Sequence, residues 1–140
     1  KDNKTHHLVL LAKNEEGYRN LMAIVSEGSI RGFYYKPRVD HEFLRNHSAG
    51  LIALSACLGG EVQSWHLRNN YEKAKEKALL YKDIFKEGFY LEIQDHGMEE
   101  QKKVIEENIK LSRETGIPLV ATNDVHYIEK KDSEAHDVLI

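Results

Sequence analysis

"NYEKAKEKALLYKDIFKEGFYLEIQ", residues Asn70–Gln94, changes its hydrophobic rhythm part-way along, and that change decides the fold class. Tyr71, Ala74, Ala78, Tyr81 and Phe85 recur at alternating steps of three and four, the stripe of a helix packed on one face. Gly88 sits where a helix stop is expected. Beyond it Phe89, Leu91 and Ile93 alternate with Tyr90, Glu92 and Gln94, which is the period of a strand. The polar face of that strand has two explanations: a solvated edge, or the inside of a barrel that narrows into a polar site. Exposure is the expectation for Glu92, with support of a nearby site as the alternative.

Reading outward, the same alternation continues in both directions. "HHLVLLA" (6–12) and "GLIALSAC" (50–57) read as strands, and "PLVAT" (118–122) as another. "NEEGYRNLMAIVSEG" (14–28) reads as a helix with Asn14 as cap, and its apolar stripe is Tyr18, Leu21, Met22 and Val25. A short helix is expected over 40–47, another from Gly59-Gly60 through Trp65, and a third in "MEEQKKVIEENIKLSRETG" (98–116), carrying Glu99–Lys103 and Glu106–Lys110 pairs. "IRGFYYKPRVD" (30–40) reads as an irregular connection, and the charged tail ending in Val138, Leu139 and Ile140 as helix-like. Strands alternating with helices over short connections predict an α/β fold of mostly parallel strands with outer helices. In such folds the ends of the strands share one edge, where sites are built.

The segments just after the later strands are chemically pointed. Ser55-Ala56-Cys57 comes after one, Gln94-Asp95-His96-Gly97 after the next, and Asn123-Asp124-Val125-His126 after the last. Period-two geometry puts Asp124 and His126 on one side of an extended backbone, where a carboxylate and an imidazole could grip one metal ion. Cys57 is a candidate thiolate ligand or nucleophile, with a small buried hydrophobe as the bland and favoured alternative when taken alone. For His96 the readings are a metal ligand, a phosphate contact or a turn residue before Gly97, with the turn or support of a ligand favoured. His6 and His7 point to opposite faces, so one at most joins a common site. His41, His47 and His66 fall on expected helix or loop surface and take no role, while His136 would pack in the last helix behind the site. Arg31, Tyr34, Tyr35, Lys36 and Arg38 read as a solvated loop rather than a nucleic-acid contact, and Gly59-Gly60 as a helix start rather than a phosphate cradle.

Composition bounds these readings. The 140 residues, 41% hydrophobic and 31% charged, are enough for one core. No apolar run approaches a membrane span, so no membrane role is expected, and a single cysteine excludes an internal disulfide and fits a cytoplasmic setting. A net charge of −3 argues against a dedicated electrostatic nucleic-acid binder. A start at Lys1 and an apolar finish at Ile140 suggest a fragment of a longer protein.

Taken in order, "HHLVLLAKNEEGYRNL", "GFYYKPRVD", "GLIALSACLGGEV", "FYLEIQDHG", "GIPLVATNDVHY" and "DSEAHDVLI" closely resemble the polymerase and histidinol phosphatase (PHP) domain of bacterial DNA polymerase III alpha subunits. The resemblance covers nearly the whole chain and looks nearer to alpha subunits that carry no inserted proofreading exonuclease. It implies that residues 1–140 are the C-terminal portion of one PHP domain, part of a distorted barrel of the (βα)7 type with a multinuclear zinc or manganese centre at its strand ends. The implied metal ligands are His7, Cys57, Asp124 and His126; Asp124 and His126 would act catalytically through the metal, with His96 and Glu92 as candidates to support the ligands or touch substrate. His7 precedes its strand whereas the other three come after theirs, so only an antiparallel or skewed strand would bring it to the shared edge. The family's earlier metal motifs, a His-x-His strand, a Thr-Asp-His segment and a further Glu, would lie before Lys1.

The resemblance implies three candidate functions. The first is metal-dependent phosphodiester hydrolysis, a 3′-to-5′ exonuclease serving proofreading in a DNA-directed DNA polymerase. In it, metal ions activate a water and neutralise phosphate. The second is a silent module that supports the polymerase and docks a separate proofreading exonuclease. The third is a stand-alone phosphoesterase such as histidinol phosphatase. The implied partners are DNA and deoxynucleotides through the parent chain, with the sliding clamp and other replicase subunits; polymerisation would use magnesium in another domain.

Overall fold

The computed structural model describes residues 6–32, 39–56, 60–95, 97–122 and 136–139, with 28–32 and 136–139 as backbone only. Strands β1 (His7–Ala12), β2 (Leu51–Leu54), β3 (Phe89–Ile93), β4 (Leu119–Ala121) and β5 (His136–Leu139) form one sheet in the order β4-β3-β2-β1-β5. The helices are α1 (Glu15–Gly32), α2 (His41–Asn46), α3 (Glu61–Leu67), α4 (Tyr71–Phe85) and α5 (Glu99–Thr115). β2 pairs parallel with β3 and β3 with β4, each through helical crossovers, as the alternating pattern predicts. β1 is the exception: it pairs antiparallel with both β2 and β5. Four strands therefore run one way and β1 runs the other, a mixed α/β arrangement consistent with part of a (βα) barrel.

The elements form where local chemistry favours them. Asn14 Oδ1 accepts from the Gly17 N–H at 2.8 Å, and Asn70 Oδ1 from the Lys73 N–H at 3.1 Å, so α1 and α4 begin on side chains that satisfy otherwise orphaned donors. The α4 stripe is buried at Ala74, Ala78, Tyr81 and Phe85. It packs with Leu8, Leu10, Leu21, Ile24, Leu51, Phe89 and Leu91 into one core between sheet and helices.

Several expectations need correction. The tail is a strand at His136–Leu139, so His136 does not lie in a helix. A short apolar run carries no period that separates strand from helix, and the open edge of β1 takes it up. α1 continues through Gly32, beyond the expected end at residue 28. Gly88 is not the positive-φ stop: Lys86 carries that conformation at φ 58°. Glycine is needed at 88 for another reason, since a Cβ there would meet the Leu51 carbonyl oxygen at 2.6 Å. On α5, Lys103 pairs with Glu107 at 3.3 Å rather than with Glu99, and Lys110 lies over the Tyr71 ring. No helix among the described residues is long and apolar enough to cross a membrane.

Candidate metal site at the strand edge

The antiparallel β1 has a direct consequence for His7. Val9 lies opposite Leu54, the last residue of β2, so the chain N-terminal to Val9 runs past the end of β2. His7 thus stands at the edge where β2, β3 and β4 finish, and its backbone forms a parallel bridge with Gly60. Gly60 in turn packs so tightly on β2's continuation that a Cβ would meet the Ser55 carbonyl oxygen at 2.0 Å. The strand direction that the resemblance required for His7 is the direction observed.

Beyond Leu54 the backbone ladder between β2 and β3 gives way to side chains. The Ser55 N–H still donates to the Tyr90 carbonyl, at 3.1 Å. The Glu92 N–H instead donates to Ser55 Oγ at 2.9 Å, and the Glu92 carbonyl accepts from Asn108 Nδ2 at 3.3 Å. Gln63 Nε2 donates both to Ser55 Oγ at 2.9 Å and to the Ala56 carbonyl at 2.6 Å. Ala56 is held at φ 71°, a left-handed conformation that costs a non-glycine residue about 1 to 3 kcal/mol. Ala56 is the last described residue before Cys57, so this frame sets the take-off of the backbone toward the cysteine.

Glu92 corrects a sequence expectation. Its strand is flanked by β2 and β4, so β3 is no edge, and the residue is 1% exposed. Its Oε2 accepts from Gln94 Nε2 at 3.0 Å and from the Thr122 hydroxyl. Among the described residues Oε1 is buried without a hydrogen-bond partner, and none of their ion pairs involves this carboxylate. Gln63 Oε1 is another buried acceptor without a hydrogen-bond partner among the described residues. Orphaned acceptors are what a cation at this edge would meet, so the residues present fit such a group.

His66 is the other correction. It is fully buried, not on the surface. The Asn108 amide donates to the Glu92 carbonyl, so its Oδ1 takes the His66 Nε2–H at 2.8 Å, which assigns the tautomer. Nδ1 stands 2.9 Å from Glu107 Oε1, without hydrogen-bond alignment. Burial pushes the imidazole below its ordinary pKa, and the contacts with Asn108 and Glu107 only partly oppose this. His66 and Asn108, hydrogen-bonded in series, brace the strand under Glu92.

The residue after Gly60 fixes the start of α3. Glu61 Oε1 accepts from the Tyr81 hydroxyl at 2.6 Å and lies 3.3 Å from His41 Nε2, while Oε2 lies 3.7 Å from Lys77 Nζ. Burial alone would raise this carboxyl, but the hydrogen bonds of His41 and Tyr81, with the charges of His41 and Lys77, hold it at about 2. Burial pushes the Tyr81 phenol up, with the Glu61 charge adding to it.

Among the expected ligands, His7 is described and Cys57, Asp124 and His126 lie outside the described residues, as does His96. Arg38 and the Tyr34-Tyr35 pair also lie outside them. No three His, Cys, Asp or Glu side chains among the described residues come close enough to hold a metal. Ser55, Gln63, Asn108 and Thr122 were not singled out by sequence reasoning. For Asn108 a signal existed: it sits on the buried stripe Gln101, Val104, Asn108, Leu111, where an amide needs partners.

Residues 1–96 match the PHP domain family. The chain belongs to that family. This PHP chain is 50% identical to the DNA polymerase III subunit alpha of Treponema pallidum, over 96% of its own length and 12% of that protein. It is 46% identical to the proteins of the same name from Borreliella burgdorferi and Deinococcus radiodurans, over 97% and 96% of the chain and 12% and 10% of those proteins. The PHP chain therefore spans about one-eighth or less of the relatives it matches.

Proposed function

We propose that the chain serves as the C-terminal portion of the PHP domain in a DNA polymerase III alpha subunit, and that its strand edge holds divalent metal for phosphodiester hydrolysis. The observation that carries this reading is the antiparallel β1, with His7 at the edge from which the backbone leaves toward Cys57 and toward Asp124 and His126. Imidazole, thiolate and carboxylate donors suit zinc, or manganese where oxygen donors dominate. A bound divalent cation supplies Lewis-acid activation of water and neutralises phosphate charge. His7, Cys57, Asp124 and His126 would hold it, and His96 would orient the scissile phosphate. No protein side chain is required as nucleophile.

In this reading the parent is a cytoplasmic replicative polymerase. Its DNA, deoxynucleotide and magnesium sites lie in other domains, with the sliding clamp and a separate proofreading exonuclease as further partners. Similarity to alpha subunits over almost the whole chain favours this over a free-standing histidinol phosphatase. The test is 3′-to-5′ degradation of end-labelled single-stranded DNA by the full-length subunit. Asp124→Ala is expected to abolish hydrolysis and spare nucleotide incorporation. Hydrolysis unchanged by that substitution would refute the assignment. A metal-loaded wild type that does not hydrolyse DNA would favour the supporting-module role.

A further inference from the structure

Glu92 has no role among the proposed ligands. It is a buried carboxylate whose two oxygens are treated very differently among the described residues: Oε2 takes two donors, from Gln94 and Thr122, and Oε1 takes none. An ionised carboxylate is costly to bury without a compensating cation, and none of the ion pairs among the described residues involves this one.

The position of the carboxylate is also specific. Its Oε2 is tied to Thr122, the last described residue before Asn123 and Asp124. Its own backbone N–H is tied to Ser55 Oγ, which together with Gln63 braces Ser55 and Ala56, the last described residues before Cys57. One residue therefore links the described residues next in sequence to three of the four expected ligands.

We propose that Glu92 is a positioning residue of the metal edge: Oε2 holds Thr122, two residues before Asp124, and Oε1 faces a divalent cation whose charge compensates the buried carboxylate. This rests on the strand edge being a metal site. It adds a coupling that a packing role would not produce, because the carboxylate favours cation binding and the cation relieves the carboxylate.

The experiment uses the full-length subunit and Zn²⁺ as the probe, with affinity measured by competition against a chromophoric chelator. Amide hydrogen exchange is monitored in the metal-free protein for the peptide that ends in Thr122. Glu92→Gln keeps the shape and keeps an oxygen to accept from Thr122, but removes the charge. The expected result is a Zn²⁺ affinity lower by about 10- to 100-fold, the usual range for groups that support ligands, with exchange in the metal-free protein unchanged or slower. Unchanged affinity with faster exchange would overturn the inference and leave Glu92 as a structural hydrogen bond.

If Glu92→Gln fails to fold, Thr122→Val decides. It keeps the charge, removes the donor to Oε2, and should weaken Zn²⁺ binding several-fold; an unaltered affinity would overturn the proposal. Asp124→Ala separates the role of Glu92 from the metal site itself. Loss of Zn²⁺ in that variant with full affinity in Glu92→Gln defeats only the role of Glu92, whereas no effect of either substitution defeats the metal assignment as well.

Discussion

Asn108→Ala should be among the most damaging single truncations on α5. The Asn108 side chain makes two contacts that nothing else described replaces: its Oδ1 accepts the His66 Nε2–H at 2.8 Å, and its Nδ2 donates to the Glu92 carbonyl at 3.3 Å. Both partners are buried, His66 at 0% and Glu92 at 1% exposure. Stranding a buried polar group costs about 1 to 3 kcal/mol. The longer of the two bonds falls at the low end of that range, so the pair amounts to about 2 to 4 kcal/mol. Urea denaturation of the 140-residue chain at neutral pH reads this as a lowered midpoint at unchanged slope. Asn108→Leu, which retains bulk but neither polar atom, should lose nearly as much, because the missing hydrogen bonds and not the volume are at issue. A loss below about 0.5 kcal/mol in both variants, the level of an ordinary surface substitution, would refute the reasoning.

Acid should destabilise the chain in two windows. Glu61 is held at about 2 against its usual 4.5, so its contribution is complete above pH 4.5 and is lost as pH falls from there. His66 is pushed below 6.5, so the unfolded chain takes up its proton first and stability begins to fall as pH drops below 6.5. Glu61→Gln should flatten the lower limb of stability against pH by no more than about 2 kcal/mol, given the screening of a partly exposed cluster, and an unchanged limb would show that its partners do not act as described. Gly60→Ala should cost about 1 to 3 kcal/mol by overpacking, at the upper end because its Cβ would fall 2.0 Å from the Ser55 carbonyl oxygen, a backbone atom; a neutral effect in thermal melts would deny that close approach.

The parts of the fold that can be read in the sequence are those with a long or self-contained signal. The α4 stripe from Tyr71 to Phe85 and the alternation from Phe89 to Ile93 each carry their own period, and both formed as expected. The strand at His136–Leu139 carries no period of its own, because its conformation comes from pairing with β1. Burial of Glu92 and His66 escaped for a related reason. Whether a polar residue faces water depends on which strands and helices close over it, and β4 and α5 arrive from distant sequence. Of the candidate site, the chain's own pattern did not select His7; the resemblance did, on condition of an antiparallel or skewed strand, and β1 runs antiparallel to β2. The bracing by Ser55, Gln63, Asn108 and Thr122 was not legible either, since it exists only where three strands end together.

The most direct test of the central claim is the divalent metal content of the full-length subunit, measured by elemental analysis after gel filtration in metal-free buffer. The wild type is compared with Asp124→Ala and Cys57→Ser. The strand-edge account predicts zinc or manganese retained in the wild type at one or more ions per chain, and lost in large part from both variants. A wild type without bound metal, or variants that retain the full complement, would contradict it.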